Sequence, residues 1–301
     1  MIETALAVAV ALFSWWFSTG VILLLNQLPR STFAWSMAAA TALAAVAIWA
    51  ILETSDMTTA EGAYIGFLSG IVLWGWHELS FLTGFITGPR RELCPQGATG
   101  WHRFKLATAT LITHEVAIFA TLLALIALCV DAPNQTALLT FASLWLLRLS
   151  AKFNIYLGIP NLTEEFLPAH LHYLKSYFRV RPMNGLFPIS VTFATVTAVL
   201  LLLPSFEPAA TPFDATAALL VGSLVALGVF EHWMMVLPLP DAALWRWAML
   251  DSRPAGSRPE PTQNATHRID PQSMQQRPYI ERKTRDGCEA TALAPVLMGA
   301  K

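Results

Sequence analysis

Three dipeptides combine a histidine with a glutamate inside long apolar stretches of the sequence. They are His77-Glu78, His114-Glu115 and Glu231-His232. An ionisable side chain near the centre of a bilayer costs roughly 2.5–3.5 kcal/mol unless it is paired, neutralised or close to water. Three such pairs in one chain therefore indicate a polar site within a membrane, built from the imidazole and carboxylate groups that also bind transition metals.

The three dipeptides are predicted to lie at a common depth. Counted from the end of each apolar stretch that is nearer to basic residues, His77, His114 and Glu231 lie roughly 10 to 15 Å deep at the helical rise. Arg148 reaches about the same depth in another apolar stretch. Three ionised glutamates and one arginine would leave an excess of negative charge, which a divalent cation or protonation would have to offset.

The residues alone leave four interpretations of this layer open. It is a hydrogen-bonded network that holds the helices in register, a metal site, a site where histidine ligates a tetrapyrrole, or a pathway for protons or ions. Neighbouring residues of a helix point about 100° apart, so one dipeptide cannot direct both side chains at one metal without distortion. The candidate ligands are the histidines for either group and the glutamates for a metal: His77, His114, His232, Glu78, Glu115 and Glu231.

Membrane helices must position these side chains. The chain of 301 residues is 55% hydrophobic and only 13% charged, and its mean hydropathy is +0.51, which is far from the composition of ordinary soluble domains. Apolar stretches long enough to cross roughly 30 Å of hydrocarbon predict an all-α bundle of about seven transmembrane helices. The predicted spans are 6–25, 33–51, 62–87, 106–130, 137–157, 186–203 and 215–237.

Basic residues predict the orientation of the bundle. Alternating crossings place all 19 Lys and Arg residues on one side or toward that end of a helix, whereas the segments 53–61, 131–136 and 204–214 contain none. The positive-inside rule then places the N-terminus in the periplasm and the C-terminus in the cytoplasm. Because topology explains the basic segments, we do not expect nucleic-acid binding.

Two regions outside the spans are predicted to have different roles. The cytoplasmic connection at about 160–182 is expected to form an amphipathic segment that lies on the membrane or docks against a partner. A metal site there is disfavoured because His170 and His172 would face different sides of a helix. Residues 1–250 form the predicted membrane domain, and 251–301, rich in Pro, Gln, Arg and Ser, is predicted to be a disordered cytoplasmic tail.

Three segments resemble a known family. GWHELSFLTGFITGPRR, the triplet THE at 113–115 and KFNIYLGIPNLTEEFLPAHLHYLKSYFRVRPMN are similar to photosynthetic complex assembly protein 2, also called PuhE. The resemblance covers approximately residues 5–250. It implies a multi-pass protein of the cytoplasmic or intracytoplasmic membrane of a purple or other bacteriochlorophyll-containing bacterium.

The resemblance also implies a function. It is to assist or regulate assembly of the photosynthetic reaction centre and light-harvesting complex, including the supply of bacteriochlorophyll. The implied partners are subunits of that complex or enzymes of pigment synthesis, besides the lipid bilayer. The resemblance favours bacteriochlorophyll or a precursor over a divalent metal as the ligand of the histidines, and a non-enzymatic role. The alternative is a membrane metalloenzyme that acts on a lipid or pigment precursor through its His and Glu residues.

Overall fold

The described residues are almost entirely helical. A computed structural model describes residues 2–162, 167–237 and 241–248, and within these ranges no residue belongs to a β-strand. The α-helices of these ranges are α1 Ile2–Gln27, α2 Phe33–Glu53, α3 Ala60–Leu82, α4 Gly100–Thr108, α5 Ile112–Cys129, α6 Thr136–Leu157, α7 Leu186–Leu202 and α8 Pro212–Met234. Short 3₁₀ segments lie at Arg30–Thr32, Ala169–Tyr177, Leu203–Phe206 and Asp241–Ala248. The predicted tail 251–301 lies outside the described residues.

The predicted all-α membrane fold is confirmed. Six of the described helices, α1, α2, α3, α5, α7 and α8, are long and apolar enough to cross a membrane, so the protein is a multi-pass membrane protein. The one remaining predicted span, 137–157, corresponds to α6. This helix has 22 residues but is less apolar because it carries Arg148, Lys152 and Asn154. These polar residues of α6 form much of the site described below.

The prediction of one helix over 106–130 is wrong. The helix is interrupted between the end of α4 at Thr108 and the start of α5 at Ile112. The helix of the predicted span 62–87 also ends earlier than predicted, at Leu82. The loop after α3 enters this break: a Cβ on Gly88 would come within 2.2 Å of the Ala109 carbonyl oxygen. The amide of His114 donates to the carbonyl of Thr87 at 2.9 Å. The loop thus satisfies backbone groups that the break leaves free, and His114 lies in the first turn of a helix rather than in its middle.

Helices α3, α6 and α8 form the centre of the bundle. Buried residues make up 61% of the most apolar stretches of α3 and α8, against 28% or less in the other candidate spans. Glycines bring α3 close to α6, since a Cβ on Gly70 would come within 2.8 Å of the Thr140 Cβ. Close packing of small residues is what the Gly66 and Gly70 spacing predicts for membrane helices.

The two ends of the bundle differ in charge. At one end the buried amide of Asn134 donates to the carbonyls of Thr54 and Gly62, both at 3.0 Å. At the other end the guanidinium groups of Arg90 and Arg103 both donate to Tyr177. The structure thus brings the predicted basic segments together at one end, as the orientation requires. The compartment that this basic end faces stays a prediction.

The described part of the 160–182 connection docks on the bundle. It forms the 3₁₀ segment Ala169–Tyr177 instead of an amphipathic α-helix. Leu171 and Leu174 are buried against Phe81 at the end of α3. The 3₁₀ segment Asp241–Ala248 likewise packs on α1, with Trp245 buried beside Leu23. Both segments therefore contact the bundle directly rather than lying only in the headgroup layer.

Candidate functional site

Helix α6 supplies the partners of the predicted polar layer. Within two helical turns it presents Trp145, Arg148, Ser150 and Lys152, and these side chains contact α3, α5 and α8. A helix with this many polar residues is tolerated in a membrane when its neighbours satisfy them. The low apolarity of α6 is thus explained by its position among the three helices that carry the His-Glu dipeptides.

Glu78 and Arg148 form the first ion pair of the layer. The Arg148 Nη2 atom lies 3.3 Å from Glu78 Oε2. The other carboxylate oxygen of Glu78 is buried and has no hydrogen-bond partner. Glu231 and Glu115 also act electrostatically on Arg148. Within the described residues the ion pair of Arg148 is with Glu78, and 52% of the Arg148 side chain is exposed.

Glu115 has a cation of its own. The Lys152 ammonium donates to its Oε1 at 2.6 Å, and the Trp145 indole donates to its Oε2 at 3.1 Å. The two charged side chains are mostly enclosed, with 21% of Lys152 and 13% of Glu115 exposed. If all are ionised, Arg148, Lys152 and the three glutamates have a net charge of about −1. This negative excess is smaller than the one inferred from the sequence, which omitted Lys152.

The third dipeptide, Glu231-His232, is satisfied by neutral groups. The Trp15 indole of α1 donates to Glu231 Oε1 at 2.7 Å. The ring of His232 is bonded at both nitrogens, with Nδ1 2.7 Å from the Gly228 carbonyl oxygen and Nε2 2.9 Å from the Ser150 hydroxyl. His232 thus links α8 to α6 and has no nitrogen free for a ligand.

His77 and His114 form a buried pair. Their ring centroids are 6.3 Å apart, and both residues are buried. His77 Nε2 lies 2.9 Å from the Thr121 hydroxyl, whereas its Nδ1 and both nitrogens of His114 have no hydrogen-bond partner. Buried polar groups normally have partners, and an exception calls for an explanation such as a ligand or a water. Of the whole polar layer, this pair is therefore best suited to bind a ligand or a water.

The positions of these side chains have different consequences for a metal ion and for a tetrapyrrole. Among the described residues, no group of three or more His, Cys, Asp or Glu side chains is placed to hold a metal ion. The carboxylates Glu78, Glu115 and Glu231 instead accept from Arg148, Lys152 and Trp15, respectively. A metal ion at these carboxylates would therefore have to displace the donors that they already have.

The His77–His114 pair fits a tetrapyrrole by its donor chemistry. An imidazole nitrogen without a partner is the group that ligates the central ion of such a cofactor. His114 is fully enclosed, and the ring of Phe81 lies 4.7 Å from its own. A macrocycle therefore requires Phe81 or a neighbouring side chain to move before it reaches His114.

Three contributors to the site escaped the sequence analysis. Lys152 was counted only with the basic residues near a helix end, and a tryptophan such as Trp15 is by its type more typical of the membrane interface. Ser150 gave no signal, since a serine in an apolar helix usually bonds its own backbone. A search for hydrogen-bond donors on other helices at the depth of each glutamate would have found Lys152 and Trp15.

Comparisons with known proteins place the chain in a family. The model of the family described as "Protein of unknown function (DUF3623)" matches residues 1–255, so the chain belongs to that family. A relative from Rhodobacter capsulatus is 38% identical over 242 residues, which cover 79% of this chain and 88% of the relative. That relative is named an uncharacterized 30.4 kDa protein in the puhA 5′ region. No solved structure matches the chain.

Proposed function

We propose that this member of the DUF3623 family is an integral-membrane factor that assists or regulates assembly of the photosynthetic reaction centre and light-harvesting complex and its bacteriochlorophyll supply. Two lines of support meet in this proposal. The motifs of the chain resemble photosynthetic complex assembly protein 2, and the relative in Rhodobacter capsulatus is named for its position in the puhA 5′ region. The role needs no catalytic step.

The observation that carries the pigment part of the proposal is the His77–His114 pair. Its three ring nitrogens without partners lie buried within the bundle, so a pigment reaches them only after Phe81 or a neighbouring side chain moves. A bound bacteriochlorophyll or precursor supplies a magnesium ion that accepts an imidazole ligand. His114 is the proposed ligand, because both of its nitrogens are free.

The other polar residues of the layer have a positioning role in this proposal. The Lys152–Glu115 pair holds the first turn of α5, which carries His114, against α6. Thr121 fixes the ring of His77 through Nε2 and so directs Nδ1 away from that contact. Ser150 and Gly228 hold His232 between α6 and α8. We assign His232 to this structural group and no longer to the pigment ligands.

The proposed location is the cytoplasmic or intracytoplasmic membrane, with the basic end in the cytoplasm. The proposed partners, reaction-centre or light-harvesting subunits or enzymes of pigment synthesis, would then meet the basic end from the side on which such subunits are synthesised. The 3₁₀ segment Ala169–Tyr177 exposes His172 and Ser176 at that end. Residues 251–301, proposed to be a disordered tail, would extend from the same side.

Deletion of the gene in a bacteriochlorophyll-producing host tests the role. Membranes of the deletion strain should show reduced absorption of assembled reaction-centre and light-harvesting complexes, and the intact gene should restore it. A His114→Ala gene should restore less than a His102→Ala gene, because His102 is exposed on α4 and lies outside the layer. Normal complex levels in the deletion strain under limiting pigment supply would contradict the proposal.

A metalloenzyme is the alternative, and the same strain separates it from an assembly factor. An enzyme that acts on a pigment or lipid precursor would cause that precursor to accumulate when the gene is absent. Stoichiometric metal in the purified protein would support the enzyme. Against the enzyme, Glu78 and Glu115 already form ion pairs and Glu231 already accepts from Trp15, so a metal would have to displace these donors.

A further inference from the structure

A cavity at the basic end of the bundle lies outside the His-Glu layer. It has a volume of about 180 Å³ and is open on one side. Three parts of the chain enclose it: the turn before α2, the end of α3 with its following loop, and the 3₁₀ segment Ala169–Tyr177. The lining residues are Arg30, Thr83, Gly84, Arg91, His170 and Leu171.

The cavity carries positive charge, and no carboxylate of the described residues pairs with it. Its lining includes two arginines and no acidic residue, and neither arginine belongs to an ion pair within the described ranges. Arg91 donates to the carbonyl of Gly84 at 3.2 Å, which holds its guanidinium at the rim. Its neighbour Arg90 differs, since it pairs with Glu92 at 3.0 Å. The two arginines of the cavity are thus available to an anion.

His170 also lines this cavity and carries a nitrogen without a partner. Its Nε2 atom is buried and has no hydrogen-bond partner. The ring also bonds to the backbone of Leu82, and it lies beside Phe33 with ring centroids 6.3 Å apart. A Cβ on Gly84 would come within 3.3 Å of Nε2, and the φ of +85° at Gly84 further favours glycine there. A side chain at position 84 would therefore crowd the imidazole ring of His170.

We propose that this cavity binds a phosphate group through Arg30, Arg91 and His170. Guanidinium groups bind phosphate oxygens in bidentate, charge-assisted hydrogen bonds. Imidazole adds a third donor when it is protonated. The phosphate belongs to an anionic phospholipid headgroup or to a soluble phosphate, because the cavity lies at the end of the membrane bundle and opens outward.

Binding at this site takes up a proton. Burial lowers the pKa of His170, and the charges of Arg30, Arg91 and His172 lower it further. A bound phosphate offsets the two arginines and raises the pKa of His170. Because the bound state then holds the proton more tightly than the free state, affinity increases as the pH falls toward the raised pKa. His170→Gln should remove most of this pH dependence.

Thermal unfolding of the full-length protein, purified in detergent and freed of lipid, tests the site. The probes are inorganic phosphate and phosphatidylglycerol, each added at constant ionic strength, with chloride as the control anion. We expect a saturable rise of the unfolding midpoint. Arg30→Gln and Arg91→Gln should each weaken binding about tenfold, the factor that corresponds to roughly 1.4 kcal/mol. Arg181→Gln is the matched control, because Arg181 is an exposed arginine of the same end outside the cavity.

Each outcome decides between the sources or rejects the site. A rise with both probes identifies a site for soluble phosphate, and a rise with phosphatidylglycerol alone identifies a headgroup site. Arg30→Gln also serves if Arg91→Gln fails to fold, since the Arg30 side chain is exposed. The absence of a saturable rise with either probe, or equal binding by Arg30→Gln and Arg181→Gln, would overturn the proposal. These results are independent of pigment binding at His114.

Discussion

Replacement of Lys152 by methionine should destabilise the bundle through the charge that it leaves behind. Lys152 and Glu115 are in contact at 2.6 Å and are mostly enclosed. Removal of one partner of such a pair leaves an uncompensated charge in a low-dielectric environment, which costs about 3–5 kcal/mol. The Trp145 indole still donates to Glu115, so we expect a loss near the lower end, about 3 kcal/mol.

The double variant provides the decisive comparison. Lys152→Met with Glu115→Gln leaves neither charge, and the glutamine still accepts from Trp145. We therefore expect it to be more stable than Lys152→Met alone, with a coupling energy of about 2 kcal/mol between the two sites. Equilibrium unfolding in detergent measures the free energy of unfolding of four proteins: the unaltered protein, the two single variants Lys152→Met and Glu115→Gln, and the double variant. Additive effects, within roughly 0.5 kcal/mol, would refute the reasoning that the pair is a buried ion pair.

Three further predictions concern packing, capping and orientation. Gly70→Ala should destabilise by about 1–3 kcal/mol, because its Cβ would come within 2.8 Å of Thr140, whereas Gly75→Ala, with 3.7 Å to its nearest neighbour, should be nearly neutral in the same unfolding assay. Asn134→Ala should cost about 2 kcal/mol because it removes two buried hydrogen bonds, to the carbonyls of Thr54 after α2 and of Gly62 in the first turn of α3, and a drop in the unfolding midpoint measures this. A fluorescent-protein fusion to the C-terminus should fluoresce and an alkaline phosphatase fusion there should be inactive, if the basic end faces the cytoplasm; the reverse pattern would contradict the orientation.

Much of the fold follows from the sequence because the bilayer constrains it strongly. Long apolar stretches have few alternatives to transmembrane helices, and the glycine spacing of α3 predicts close packing on a neighbouring helix, which the structure identifies as α6. The break between α4 and α5 was missed because the residues around Leu111 remain apolar through it. The partner of that break is the loop at Gly88, which is remote in sequence, and hydropathy carries no signal for such a contact.

The candidate site was predictable in composition but not in pairing. Depth is read from the sequence along each helix, so Arg148 could be placed near the layer, but its contact with Glu78 comes from the structure. Rotation about the helix axis and the order of helices in the bundle decide the rest. They direct Lys152 to Glu115 and Ser150 to His232, and they leave His114 without a partner. Helix rotation and helix order both depend on packing between helices that are distant in the chain.

Pigment bound to the purified protein tests the central claim most directly. The protein would be expressed in a host that makes bacteriochlorophyll, solubilised gently, and examined by absorption spectroscopy together with His114→Ala, His77→Ala and the exposed control His102→Ala. The account predicts a bound tetrapyrrole spectrum in the unaltered protein and in His102→Ala, and its loss in His114→Ala. Equal pigment in all four proteins, or none in any, would contradict the assignment of His114 as a pigment ligand.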